Sequence, residues 1–114
     1  MDNICLTADG VPHLIDFGLS KMDFPIGSTT TTFCGTFPYL PPEMLKLIDY
    51  DHSIDFWELG VMIFVMFFRS NPFNSQDDDE LAEMICTMEL KFYEAIDESL
   101  GDLIHRNFLY LIGF

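Results

Sequence analysis

The sequence predicts a mainly α fold with a small β-hairpin at its N-terminal edge. Three observations carry that expectation. Leu59 to Phe68 is an unbroken apolar run, long enough for a buried helix and about half of what a membrane-spanning helix needs. Leu81, Met84, Ile85 and Met88 recur at i, i+3, i+4 and i+7, which gathers them on one face of a helix. Near the start, Ala8-Asp9-Gly10 separates two short apolar runs, and Asp-Gly in that position signals a hairpin.

In chain order, Ile4 to Thr7 and Val11 to Ile15 read as the two strands. Pro12 weakens the second, because proline has no N–H to give to a ladder. Lys21 to Thr32 reads as a loop, with Pro25, Gly27 and a Ser-Thr cluster. Pro38, Pro41 and Pro42 punctuate the next loop, ahead of a short helix around Glu43 to Ile48. Ser53 reads as the N-cap of the long apolar helix over 54–68, which Asn71-Pro72 closes off. Ser75 reads as the head of a capping box, with the acidic run Asp77 to Glu80 in the first turn, where the helix dipole favours it. A last helix around Ser99 to Tyr110 carries Leu100, Leu103, Ile104 and Phe108. No internal repeat or low-complexity tract interrupts this order.

At 114 residues the chain suits one small domain, and at 49% apolar it has the material for a core. Twelve Phe and seven Met also raise the prospect of apolar faces left uncovered. Nineteen acidic residues against five basic ones give a net charge of −14, which argues against nucleic acid and against anionic membrane surfaces. That charge serves solubility or attracts basic protein segments. Cys5, Cys34 and Cys86 form no C-x-x-C and stand apart from His13, His52 and His105. A zinc site and a disulfide framework are therefore not expected, and reduced thiols fit a cytoplasmic or nuclear protein. Asp2 and Asp9 interrupt any apolar leader, so no signal peptide is expected, and no membrane span.

The chemistry-bearing pattern is Asp16-Phe17-Gly18, followed by Phe33-Cys34-Gly35-Thr36 and Pro42-Glu43. An aspartate on a tight turn after a strand offers a carboxylate suited to Mg²⁺. Phosphoryl transfer needs such an ion, together with a positioned lysine, a glycine-rich cover and an aspartate that takes the hydroxyl proton. The tripeptide alone is a weak signal, but the later motifs stand at the spacing of a kinase activation segment.

With these motifs the chain resembles a eukaryotic serine/threonine protein kinase of the AGC type, particularly the protein kinase C and protein kinase C-related branches. Asp2-Asn3-Ile4 is similar to the end of the catalytic loop H-R-D-L-K-x-x-N, and the resemblance makes Asn3 and Asp16 the metal- and cofactor-binding pair. Thr32-Phe33-Cys34-Gly35-Thr36 matches T-F-C-G-T, which makes Thr32 the expected phosphorylation site. Lys21 aligns with a lysine that pairs with that phosphate. Phe17, Gly18, Lys21, Thr36 and Glu43 then belong to the activation segment, with Pro41-Pro42-Glu43 in the place of A-P-E. Asp55, Trp57 and Gly60 match the structural motif D-x-W-x-x-G. Asn71-Pro72-Phe73, the run from Asp77 to Leu81, and a degraded R-N-P-x-x-R-L-G over 106–113 continue the likeness.

The resemblance implies a truncated protein-kinase-like C-lobe: a partial kinase domain over 1–114, from the end of the catalytic loop through the C-lobe helices, with the N-lobe and H-R-D absent. It implies ATP-dependent phosphorylation of protein Ser/Thr as the ancestral reaction, with Mg and ATP as cofactors. No residue of the chain matches the catalytic base, the phosphate-binding lysine or the glycine-rich loop. The expectation is thus that this chain alone binds no nucleotide, is inactive, and contributes no catalytic residue. Three departures point the same way. Phe37-Pro38 alters the substrate-facing loop. Val65 stands where basic-substrate relatives carry Glu, and Leu111 where they carry the Arg that pairs with Glu43. A buried carboxylate stripped of its partner costs about 3–5 kcal/mol. Asp55 would lack the catalytic-loop backbone that engages it in relatives.

Blander readings stand beside these. Asn3 also reads as a polar residue at a frayed end, Asp16 as a solvated turn residue, and Thr32 as one of four loop threonines. Trp57 reads as core. Two other functions also fit: a non-catalytic interaction module or decoy binding another kinase or its substrates, and a truncated gene product without independent function.

Overall fold

The computed structural model describes residues 3–87 and 97–109, and within 97–109 it leaves aside the side chains of His105, Phe108 and Leu109. Among the described residues, two strands, four α-helices and one 3₁₀ turn follow in the order β1 (Ile4–Leu6), β2 (Pro12–Leu14), the turn (Phe37–Tyr39), α1 (Pro42–Leu45), α2 (Ile54–Phe68), α3 (Asp78–Thr87) and α4 (Glu98–Leu109). The fold is mostly helical with one two-stranded antiparallel sheet.

The hairpin pairs Ile4 with Leu14, Cys5 with His13 and Leu6 with Pro12. The bonds Ile15 N–H to Asn3 O at 2.9 Å and Thr7 N–H to Val11 O at 3.0 Å fix which pairs carry the ladder. Hydrogen-bonded and non-bonded pairs alternate in an antiparallel sheet. Leu6 opposite Pro12 therefore falls on a non-bonded pair, and the missing proline N–H removes nothing. That is why Pro12 sits inside β2 against its propensity.

Helix α2 has the expected bounds, 54–68, but Ser53 is not its side-chain cap. Ser53 is already in the right-handed helical region, at φ −63° and ψ −22°, and its hydroxyl makes no cap bond. Asp51 takes that role two residues earlier, where its carboxylate accepts the Ser53 N–H at 2.8 Å. The head of α3 is displaced in the same sense. Asp77, not Ser75, accepts the N–H groups of Asp79 and Glu80, each at 3.0 Å. Ser75 instead accepts the Asp77 N–H and donates to Glu80. In both places a carboxylate, the stronger acceptor, displaces the nearby serine.

Helix α1 is shorter than the expected 43–48. It stops at Leu45, because Leu47 turns left-handed at φ 54° and the chain closes in a Schellman motif. In that motif the Ile48 N–H reaches Glu43 O at 3.0 Å and the Leu47 N–H reaches Met44 O at 3.1 Å. Helix α4 begins at Glu98, one residue before the expected start.

The core lies where α4 crosses α2 and α3 closes beside them. Trp57, Val61 and Ile104 are fully buried there with Ile85, and Phe64, Phe73 and Leu81 complete the cluster. The Trp57 and Phe73 rings stack, their centroids 5.8 Å apart and their planes within 3°. A second cluster of Leu40, Met44 and Tyr50 sits under the 3₁₀ turn and α1. Not every stripe residue is inside. Leu81 and Ile85 are buried, but Met84 and Leu103 face solvent. Met88 and Tyr110 lie outside the described residues.

Candidate functional site

The hairpin register brings the first two candidate residues together. Asn3 pairs with Ile15, whose N–H its carbonyl accepts, and the next residue is Asp16. Asp16 is left-handed, at φ 65°. Aspartate is among the residues that tolerate this conformation, and it is steadied by a local bond, since its Oδ1 accepts the Gly18 N–H at 3.0 Å. A Cβ on Gly18 would stand 3.0 Å from that same oxygen, so a side chain there would push the carboxylate aside. Asp16, Phe17 and Gly18 are all exposed.

Asn3 and Asp16 offer oxygen donors only. That is the donor type of Mg²⁺, which usually takes one or two protein oxygens and fills its octahedron with phosphates and water. Among the described residues no group of three or more His, Cys, Asp or Glu gathers as a metal site. The pair suits an ion held jointly with a nucleotide and not a site formed by protein ligands alone.

The segment that follows is tied down at several points. The Lys21 ammonium donates to Thr32 Oγ1 at 2.8 Å and to Thr30 Oγ1. Thr30 forms an isolated antiparallel bridge with Tyr50, with N–H to O bonds of 2.9 and 3.0 Å. The Tyr50 hydroxyl donates to the Thr32 carbonyl, and the Thr29 hydroxyl donates to Asp49 at 3.2 Å. Lys21 and Thr32, predicted as partners, are thus in contact. The sequence reading passed over Thr30, Asp49 and Tyr50. A signal was available for each of two of them: Thr30 lies two residues from Thr32, hence on the same side of an extended segment, and Tyr50 is an aromatic set between two acids.

Downstream, Thr36 leads into the 3₁₀ turn, where its carbonyl accepts the Tyr39 N–H at 2.9 Å. Gly35 before it is at φ 123°, and a Cβ there would lie 2.9 Å from Leu40. Glu43 sits in the first turn of α1. Burial raises its pKa above the ordinary carboxylate value, and its own backbone bond and the charge of Lys46 only partly offset this. Leu111, expected to replace its partner, lies outside the described residues. On α2, Trp57 is fully buried and Gly60 is buried, whereas Asp55 is exposed. Glu58 keeps contact with solvent, yet surrounding protein raises its pKa, and the Asp55 charge one turn earlier adds to the rise. Val65, on the same helix, packs against the core.

Comparison with known proteins agrees with the motifs. The family model described as protein kinase domain matches residues 1–109. The serine/threonine-protein kinase akt-2 of Caenorhabditis elegans is 42% identical over 92 residues, covering 81% of this chain and 17% of that protein. A protein kinase C-like protein of Hypocrea jecorina is 43% identical over 89 residues, covering 78% of this chain and 8% of that protein. Protein kinase C epsilon type of Rattus norvegicus is 45% identical over 85 residues, covering 75% of this chain and 12% of that protein. The chain therefore spans less than a fifth of the length of these relatives. It belongs to the protein kinase family, in the AGC-type serine/threonine branch that these relatives represent.

Proposed function

We propose that the chain is a C-lobe portion of a serine/threonine protein kinase domain, from the end of the catalytic loop through the C-lobe helices, and that by itself it transfers no phosphate. The observation that carries the reading is the register that sets Asn3 opposite Ile15, the residue before Asp16, so that both oxygen donors stand at the open end of the hairpin. Within a whole kinase these two residues would hold Mg²⁺, which would neutralise charge on the ATP phosphates. Lys21 stands ready to meet a phosphate on Thr32, and protein Ser/Thr hydroxyls are the substrates. The 114 residues themselves carry no glycine-rich loop, phosphate-binding lysine or H-R-D aspartate. Two oxygen ligands leave the charge of the transferring phosphoryl group largely unmet. Free cysteines at positions 5, 34 and 86 support a cytoplasmic or nuclear setting.

Calorimetry with Mg²⁺ and ATP tests the inactive reading, with a peptide phosphorylation assay beside it. The expected result is no saturable binding below ~1 mM, equivalent to about −4 kcal/mol, and no transfer. Tighter binding that disappears in Asp16→Asn overturns it.

A second reading, an interaction module, is favoured by one observation. Leu59, Met66 and Phe67 lie exposed along α2, with the acidic Asp55 and Glu58 at the head of the same helix. A basic, apolar segment of another protein fits that surface. Binding of a neutral hydrophobic dye to α2 is its first test, and a dye-silent chain sets this reading aside.

A further inference from the structure

Residues 29–32 are fastened chiefly through Tyr50, a residue that no motif marks. Tyr50 is 8% exposed and packs with Leu40 and Met44, so it is anchored on the folded body of the chain. From that anchor it grips the segment twice. Its backbone exchanges two bonds with Thr30, and its hydroxyl donates to the carbonyl of Thr32. In an extended segment residues 30 and 32 point to the same side. Both hydroxyls accordingly reach one ammonium, that of Lys21. Asp49, beside Tyr50 in the chain, accepts the Thr29 hydroxyl.

We infer that Tyr50 is the positioning residue for Thr32, holding it where Lys21 can receive a phosphate. Lys21 is exposed, with a flexible stem, and a surface ion pair is weak chiefly because two mobile groups must be ordered to form it. Tyr50 removes one half of that ordering by fixing the Thr32 backbone in advance. The inference rests on the reading of Thr32 as the modified residue.

The test uses the full chain with phosphothreonine placed at position 32 by ligation at Cys34, followed by ³¹P titration. Beside Lys21⁺ the second phosphate pKa should lie about 0.3–0.7 unit below that of a free phosphothreonine peptide, the range an exposed ion pair supplies. Lys21→Ala should abolish the shift. Tyr50→Phe, which keeps the ring, should abolish it too while leaving the melt cooperative. If Lys21→Ala changes nothing, the pairing of Lys21 with a phosphate on Thr32 fails, and the inference with it. If Lys21→Ala removes the shift and Tyr50→Phe does not, the role of Tyr50 fails alone. Should Tyr50→Phe lose its cooperative melt, amide exchange in the unsubstituted chain decides. Thr30 and Tyr50 N–H groups exchanging at least tenfold slower than that of Thr31 support the clasp, and equal rates overturn it.

Discussion

The Asp16 carboxylate accepts the Gly18 N–H at 3.0 Å, and a Cβ on Gly18 would lie at the same distance from that same oxygen. Bond and glycine are therefore two sides of one constraint. A methyl at position 18 pushes Oδ1 off the N–H and turns the carboxylate out of its present orientation. The turn is exposed, so global stability should hardly notice, within about ±0.5 kcal/mol. Gly18→Ala should leave the melting temperature nearly unchanged while the amide of residue 18 exchanges faster. An unchanged exchange rate would show that the turn does not depend on this bond.

The heads of α2 and α3 invite a paired test. Asp77 bonds two N–H groups at the start of α3, whereas the Ser53 hydroxyl bonds none at the start of α2. Removing a working cap costs ~1 kcal/mol. Asp77→Ala should lower the urea midpoint by that equivalent, and Ser53→Ala should fall within about 0.5 kcal/mol of the unsubstituted chain. The reverse order would restore the serine cap that the sequence suggested.

These caps show where sequence reading reaches and where it stops. The hairpin and α2 were legible because both follow from local rules: turn chemistry in one, a run of apolar residues in the other. Which of several neighbouring acceptors caps a helix is a contest between residues two positions apart, Ser53 against Asp51 and Ser75 against Asp77, and spacing alone does not rank them. Met84 and Leu103 carry the helical period yet face solvent, because a stripe says which residues share a face and not how far its neighbours cover that face. Asp16 and Lys21 were singled out by motifs. Tyr50 was not, since its contact with Thr32 spans 18 residues and only the folded chain brings the two together.

Leu47 occupies the left-handed position of the Schellman motif, at φ 54°, and its side chain is 74% exposed. A left-handed residue with a Cβ carries about 1–2 kcal/mol of strain, against which glycine loses some chain entropy. Leu47→Gly should therefore stabilise the chain by up to ~1 kcal/mol in a denaturant titration. Destabilisation would mean that the Leu47 side chain makes a contact worth more than the strain.

Glu43 fixes one sign of the pH dependence. Burial raises its folded pKa, so the folded chain holds that proton at pH values where the unfolded chain has released it. Stability attributable to Glu43 is then highest below the ordinary Glu pKa and falls as pH rises through the raised value. Asp51 runs the opposite way: its bonds to Ser53 lower its pKa, so its contribution is present above the ordinary Asp value and is lost on further acidification. Glu43→Gln should raise the melting temperature at pH 7 and flatten the loss of stability just above the ordinary Glu pKa. A variant less stable than the unsubstituted chain at pH 7 would show that the carboxylate has an ionic partner stronger than Lys46.

The last prediction concerns the outer side of α2. Leu59, Ile63, Met66 and Phe67 stand at i, i+4, i+7 and i+8, so they share one face. Ile63 is partly buried against the core, whereas Leu59, Met66 and Phe67 are 39%, 54% and 53% exposed. Contiguous apolar surface of this kind marks a place where another surface belongs. The net charge of −14 would repel an anionic dye and hide the effect, so a neutral dye such as Nile red is the appropriate probe. The unsubstituted chain should bind it, and Leu59→Gln with Met66→Gln should reduce the fluorescence at least severalfold. Both sites are open to water, so each substitution should move stability by no more than about 0.5 kcal/mol. Fluorescence that persists in the double variant would place the dye elsewhere, on the exposed Phe17, Leu19, Met22 and Ile26 of the loop. Loss of more than ~2 kcal/mol would show instead that this face is already packed within the chain.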